Sequence, residues 1–313
     1  MSIAPSTNRN YTSALQTYTD FCRYHFIPSF PTKEDTLILF ATFIASYSSH
    51  SNVKMHLAAI KHFSVTSGYM TPFNTFNRLY LLTKGIRRQQ GSTRSVPKRL
   101  PITPYLLRIM AQNLFNSSRF YEDKIMLWAA ILLAFYGFLR ISEYTSTHKK
   151  QFDPNITLLV RDVSLRHGQA EVHIKASKTD PFREGVCVRI AANNTPLCPI
   201  KALSEFLAIH PSGNGPLFVF RNGTFLTRKD LNDVLHSTTD GLANISSHSL
   251  RIGAASTAAA MGCPKWLIQG MGRWTSDCFR RYIRITDNTI QRTSNILANC
   301  RVPVPYDFNP HTQ

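Results

Sequence analysis

The sequence predicts a mainly α-helical protein with a small antiparallel β-sheet. It divides into an N-terminal helical domain (residues 1–92), a linker (93–103) and a larger α+β domain (104–313). Three observations carry this reading. Apolar residues recur at helical spacing through the first domain, the run from Lys124 to Tyr136 is apolar on nearly every face, and between Leu158 and Ile190 the period shortens to that of strands. A chain of 313 residues suits two domains or one large one.

Tyr11, Leu15, Tyr18, Phe21 and Cys22 define a first amphipathic helix with Ser6 or Thr7 as its N-cap. Thr36 to Tyr47 forms a second. Val53, Leu57, Ile60 and Phe63 line a third, and Phe76 to Ile86 a fourth, ending near Gly85 and the basic pair Arg87 and Arg88. From Gln89 to Pro104 the chain mixes Gly, Ser and Pro with Arg94, Lys98 and Arg99, the composition of a linker. Thr103 then caps a helix that has Pro104 at its first position. Lys124 to Tyr136 is expected to be the central core helix, stopped by Gly137. LLV (158–160), EVHIK (171–175) and VCVRI (186–190) read as strands, and ASKTDPFREG (176–185) as a polar hairpin turn with Lys178 at its tip and Lys175 close by. Helices follow at Ile200 to His210, through FLTRKDLNDVL (225–235), and at Ala254 to Met261, where small residues allow close packing. WLIQGMG (266–272) reads as an apolar turn and short helix, Tyr282 lies on a further helical stretch, and a tail runs from Asp287 to Cys300 with Ile290 and Ile296 on an apolar face.

The charge balance points to a polyanionic partner. There are 36 Lys and Arg against 18 Asp and Glu, a net charge of +18, and nucleic acid is the simplest partner for such a surplus. Only 17% of residues are charged, so this is a folded basic protein and not a charged disordered tail. The bias is regional: no carboxylate lies between Asp35 and Glu122, a window holding eleven Lys or Arg. Lys54, Lys61, Arg87, Arg88, Arg94, Lys98 and Arg99 are the candidates for phosphate contacts there. A merely solvated basic face is the alternative. The six cysteines include no C-x-x-C pair, which suggests neither a zinc site nor a disulfide framework and fits a reducing, intracellular compartment. The N-terminus has no apolar signal core and Ile125 to Tyr136 is too short to cross a bilayer, so a soluble protein is expected.

The chemistry concentrates between His248 and Arg284, which holds His248, Arg251, Arg273, Trp274 and Tyr282. A phosphodiester under attack gathers negative charge on its non-bridging oxygens, and fixed Arg and His donors stabilise that charge. On a helix, His248 and Arg251 project from one face, three residues apart. Tyr282 can supply the attacking oxygen. Each residue alone has an ordinary structural reading, as a cap or a core aromatic; the set together does not.

The pattern H-x-x-R, then G-R-W, then Tyr282 resembles the C-terminal signature of the tyrosine recombinases, the integrase-like enzymes that include Cre. Upstream, GFLRISEYTS resembles the first catalytic Arg motif of that family, which implies Arg140 as a phosphate-clamping residue and Glu143 as the acidic residue that orients the site. The family places a catalytic Lys on a β-hairpin, so that role falls on Lys178, with Lys175 as the competitor. The wording SKTDPFREG, HSLRIGAAS and GRWTSDCFRRYIR looks most like recombinases of eukaryotic DIRS-type and Crypton-type mobile elements. One position departs from the family. Its His or Trp usually lies nine residues before the Tyr, whereas Arg273 holds that spacing here and Trp274 lies eight before; Trp274 is taken for the role, with Arg273 as the alternative.

The resemblance implies a core-binding N-terminal domain, a catalytic domain, and DNA strand exchange through a 3′-phosphotyrosine, serving integration or transposition. It implies double-stranded DNA as partner, a homotetramer on two duplexes, no metal, no nucleotide cofactor and no small-molecule substrate. The absence of a G-x-x-x-x-G-K-S/T loop agrees. A nuclear location follows if the host is eukaryotic. Two alternatives stand beside it: a type IB topoisomerase-like enzyme, and a DNA-binding protein derived from a recombinase that has lost its activity.

Overall fold

The computed structural model describes residues 3–93, 99–177, 180, 182–210, 214–285 and 287–299. The chain forms two units, Met1–Pro97 and Lys98–Gln313. The first is built from α1 (Pro5–Tyr24), α2 (Glu34–Tyr47), α3 (His50–Thr66) and α4 (Asn77–Thr93). Pro5, not a hydroxyl residue, starts α1, because its fixed φ suits the first helical position. Ser49 caps α3 by accepting the Asn52 N–H. Tyr18, Phe21, Leu37, Phe40, Ile44, Val53 and Ile60 form the core, with Tyr18 edge-on to Phe40 at 5.1 Å between centroids.

α4 continues past Gly85 to Thr93, well beyond the end predicted at Ile86. The reason is tertiary. Gln90 donates to the Ser48 carbonyl (2.8 Å) and the Ala45 carbonyl (3.3 Å) and accepts the His50 N–H (2.6 Å). It thereby satisfies groups that the end of α2 and the start of α3 leave open, a gain that outweighs the weak helix propensity of Gly85. Arg78 pairs with Glu34 (3.3 Å) and Asp35 (2.6 Å), so one cation of the carboxylate-free window is neutralised by the acids at its border. Lys54, Lys61, Arg87 and Arg88 are exposed, whereas Arg94 and Lys98 lie outside the described residues.

The second unit contains α5 (Pro104–Asn116), α6 (Tyr121–Tyr136), α7 (Ile141–Tyr144), β1 (Val163–Arg166), β2 (Gln169–Ile174), β3 (Val186–Ala191), α8 (Pro199–Ile209), α9 (Arg228–Thr238), α10 (Ser247–Ala260), α11 (Lys265–Met271) and α12 (Asp287–Asn299). α6 is its central helix: every residue from Ile125 to Phe135 is buried, against α5, α8 and α10. Thr103 caps α5 as its sequence predicts. The sheet runs β1-β2-β3, all antiparallel, with Val172 opposite Val163 and Val188. β2 turns Ala170, Val172 and Ile174 inward, the alternation of a sheet with one covered face.

Two expectations change here. LLV is not the first strand: Leu158 and Leu159 are both buried, the Leu159 N–H donates to the Asp162 carboxylate at 2.8 Å, and the strand begins only at Val163. A continuous apolar run is consistent with any buried conformation, which is why its period misleads. The expected linker is also folded at its far end. Leu100 and Ile102 donate their N–H groups to the Asn244 and Ser249 carbonyls (3.1 and 3.0 Å), and Ile102 is fully buried.

Ile102 meets α10 at Gly253, where an added Cβ would lie 1.8 Å from the Ile102 carbonyl oxygen. Gly253→Ala must push backbone from backbone, so denaturant unfolding is expected to show a loss of about 1–3 kcal/mol or more. At Gly85 nothing lies within 4 Å of an added Cβ, and Gly85→Ala is expected to gain about 0.5–1 kcal/mol. No helix among the described residues is long and apolar enough to cross a membrane.

Candidate active site

The site is assembled at the ends of three elements. Gly137 closes α6, where a Cβ would meet the Leu133 carbonyl at 2.8 Å, and the chain then turns through Phe138 at φ +49°. This turn places Arg140 at the N-cap of α7, with Glu143 three residues on. Glu143 accepts the Arg140 N–H (2.8 Å) on one oxygen and the Arg140 guanidinium (2.9 Å) on the other. Its side chain is 0% exposed. The pair is therefore no surface ion pair, and its carboxylate is further bonded by Arg273 at 2.7 Å.

α10 presents His248 and Arg251 one turn apart, as their spacing predicts. The start of the helix is fixed by Asn232, which accepts the Ser247 N–H at 2.8 Å. Arg251 is 1% exposed. Its two terminal nitrogens donate to the carbonyls of Phe138 and Gly272, which joins the α6–α7 turn to the end of α11. The guanidinium carbon lies 4.3 Å from the Trp274 ring centroid and 5.8 Å from that of Tyr282. Tyr282 in turn packs on Trp274 (5.0 Å) and His248 (5.1 Å). His248, Arg251, Trp274 and Tyr282 thus form one contact cluster, to which Arg140, Glu143 and Arg273 are joined through Phe138.

Tyr282 does not lie on a regular helix, as expected from sequence, but ends the short 3-10 helix Asp277–Arg281. Its carbonyl accepts the Ser256 hydroxyl at 2.8 Å, and that hydroxyl also accepts the Arg284 N–H at 3.0 Å. Ser256 therefore holds the backbone on which the tyrosine rides. Sequence reasoning missed Ser256, hidden in an Ala-rich stretch. It also missed the Phe138 and Gly272 carbonyls, which carry no side-chain signature. Lys178 lies outside the described residues. Its flanks pair across the hairpin, with the Asp180 N–H donating to the Ser177 carbonyl at 3.1 Å. Lys175 is ion-paired to Asp162 at 2.6 Å, and both side chains are largely buried. Among the described residues no three His, Cys, Asp or Glu side chains are grouped to hold a metal ion.

The charges explain what this pocket accepts. Three guanidiniums face one carboxylate. Burial, then Arg140 and Arg273, lower the Arg251 pKa to about 10; burial also lowers that of Arg273, against the pull of Glu143. Both remain cationic at neutral pH. Nε of Arg251, Nε and Nη1 of Arg273 and Nε1 of Trp274 are buried donors without a protein partner, a set suited to an oxyanion.

Burial, aided by Arg99, Arg251, Arg140 and Arg284, lowers the His248 pKa to about 4, so the imidazole is neutral and able to accept a proton. The unfolded chain has a His pKa of about 6.5, and between these values the unfolded state binds more protons. Stability from this residue is therefore complete above pH 6.5 and is lost as pH falls toward 4, by roughly 1–3 kcal/mol. Urea midpoints measured from pH 7 to pH 4 are expected to fall more steeply in the wild type than in His248→Gln.

No protein-family model matches the sequence, and no curated protein is detectably similar to it. Solved structures are similar in fold. The XerH site-specific recombinase, bound to palindromic difH substrate in a post-cleavage complex, superposes with a TM-score of 0.65 at 15% identity, covering 93% of this chain and 79% of XerH. The Tn1549 transposon integrase in complex with transposon right end DNA gives 0.61 at 14% identity and 95% coverage of both chains. A lambda integrase dimer bound to a COC′ core site gives 0.58 at 15% identity and 90% of both. The mainly helical chain with its three-stranded antiparallel sheet has the fold of the tyrosine recombinases.

Proposed function

We propose that this chain is a tyrosine recombinase, which breaks and rejoins duplex DNA through a covalent 3′-phosphotyrosine in the service of integration or transposition. The observation that carries the reading is the packing of Tyr282 on His248 and Trp274 beside the buried Arg251, in a fold shared with DNA recombinases. In the proposed step the Tyr282 oxygen bonds to phosphorus, its proton passes to neutral His248, and the bond to the 5′-oxygen breaks. Lys178 protonates that oxygen, while Arg140 and Arg251 stabilise the pentacoordinate charge. A 5′-hydroxyl from a second duplex then attacks the phosphotyrosine and returns the tyrosine, so the bond energy is retained and neither metal nor nucleotide is consumed. A homotetramer on two duplexes is the proposed assembly, with a nuclear site of action in a eukaryotic host.

Covalent capture tests the reading. The protein is incubated with a pool of nicked duplexes of randomised sequence, and adducts that survive denaturant are recovered. Adducts joined through a 3′-phosphate are expected; their absence removes the enzyme and leaves a DNA-binding protein. Exchange between two captured duplexes separates a recombinase from a topoisomerase. The exposed Lys54, Arg87 and Arg88 are proposed to meet phosphates. Replacing all three with Gln is expected to make the slope of log K against log salt shallower by roughly two to three, and an unchanged slope would show that these cations face solvent.

A further inference from the structure

In α9 the hydroxyls turn back on their own helix. Ser237 and Thr238 donate to the Val234 carbonyl (3.1 and 2.7 Å), the usual bond of a hydroxyl within a helix. Ser256 of α10 behaves differently. It is 6% exposed, and its hydroxyl reaches 26 and 28 residues along the chain, donating to the Tyr282 carbonyl at 2.8 Å and accepting the Arg284 N–H at 3.0 Å. Its neighbours Ala254, Ala255, Ala258, Ala259 and Ala260 are the best helix formers, so helix formation gives no reason for a serine here.

The segment it holds lies between elements. The 3-10 helix ends at Arg281, with the buried Phe279 as its anchor, and residues 283–285 belong to no helix or strand. The Tyr282 N–H donates to the Phe279 carbonyl at 2.9 Å, which fixes the backbone before the tyrosine. Ser256 fixes it after. Because Ser256 shares α10 with His248 and Arg251, one helix sets where the tyrosine stands relative to both, and a misplacement of about 1 Å can cost about 10²-fold in rate.

Resting on the recombinase reading, we infer that Ser256 is a positioning residue: its hydroxyl latches the backbone of the Tyr282 segment to α10 and keeps the phenol in register with His248 and Arg251. One hydroxyl makes both bonds, as donor to residue 282 and acceptor from residue 284, so each polarises the other and both are lost together. A displacement of the chain beyond Arg284, where Ile285 leads toward α12, therefore reaches the Tyr282 carbonyl through a single oxygen. Ser256 acts through the tyrosine and not on the phosphate.

Two measurements on the full chain test this. The first is the single-turnover rate of adduct formation on the captured duplexes. Ser256→Ala is expected to be slower by about 10²-fold at unchanged duplex affinity. Ser256→Cys, close in size but a weak donor and acceptor, is expected to be slow as well, and Ser256→Thr, which keeps the hydroxyl, to recover most of the loss. A space-filling role alone would leave Ser256→Cys at the wild-type rate, and that result overturns the inference.

The second measurement needs no catalysis. Hydrogen exchange of the Arg284 amide is expected to be faster by about fivefold in Ser256→Ala, while the amides of Arg251 and Ile252 in α10 keep their wild-type rates. An Arg284 amide that exchanges no faster overturns the latch. Should it exchange faster although wild type forms no DNA adduct, the latch stands and the recombination reading falls.

Discussion

Tyr282→Phe is expected to abolish covalent attachment to DNA while leaving duplex affinity within about twofold. The substitution removes one oxygen and keeps the ring that packs on His248 and Trp274, so the cluster retains its shape. Affinity for a polyanion comes mainly from cations, and the phenol contributes none. If Tyr282 is the nucleophile, it has no partial substitute, and the effect is a loss of the reaction and not a slowing of it. Denaturing gels of the nicked-duplex reaction read the adduct, and a binding titration reads the affinity. An adduct formed by the Phe variant would mean that another residue attacks.

The second large effect belongs to Lys178. If it protonates the departing 5′-oxygen, Lys178→Ala slows cleavage of ordinary DNA by about 10²–10⁴-fold. Replacing that bridging oxygen with sulfur gives a leaving group that needs no proton, and the variant should then cleave at nearly the wild-type rate. Arg140→Ala and Arg251→Ala should stay slow on the same substrate, because charge still develops on the non-bridging oxygens. Lys175 is a different test from the one its sequence suggests. Its ion pair with Asp162 is largely buried, so Lys175→Ala strands a carboxylate and is expected to lower stability by about 1–3 kcal/mol. Should sulfur restore Lys175→Ala and not Lys178→Ala, the proton comes from Lys175.

Much of the fold was legible because it rests on long, strongly patterned runs. α6 is buried along its length and could be read from composition alone; β2 could be read from its alternation. Two of the misreadings are places where tertiary structure overrode a local signal. Gln90 extends α4 by bonding to two other helices, and Leu158 and Leu159 are apolar for the core and not for a strand. In the site, side chains with fixed offsets were legible: Arg140 with Glu143, and His248 with Arg251. The framework between them was not. It consists of the Phe138 and Gly272 carbonyls, the Ser256 hydroxyl and the left-handed turn at Arg273, none of which has a residue type or spacing that announces it.

The chain enters its second unit by way of the helix that holds His248 and Arg251. Ile102, four residues after Lys98, is hydrogen-bonded to Ser249 and lies against Gly253, so the anchor of the incoming segment is the backbone of α10. In mechanical terms, a displacement of residues 100–102 acts directly on the backbone of α10. A change in how that segment is seated is thereby felt within one turn of Arg251, without altering a single side chain of the site.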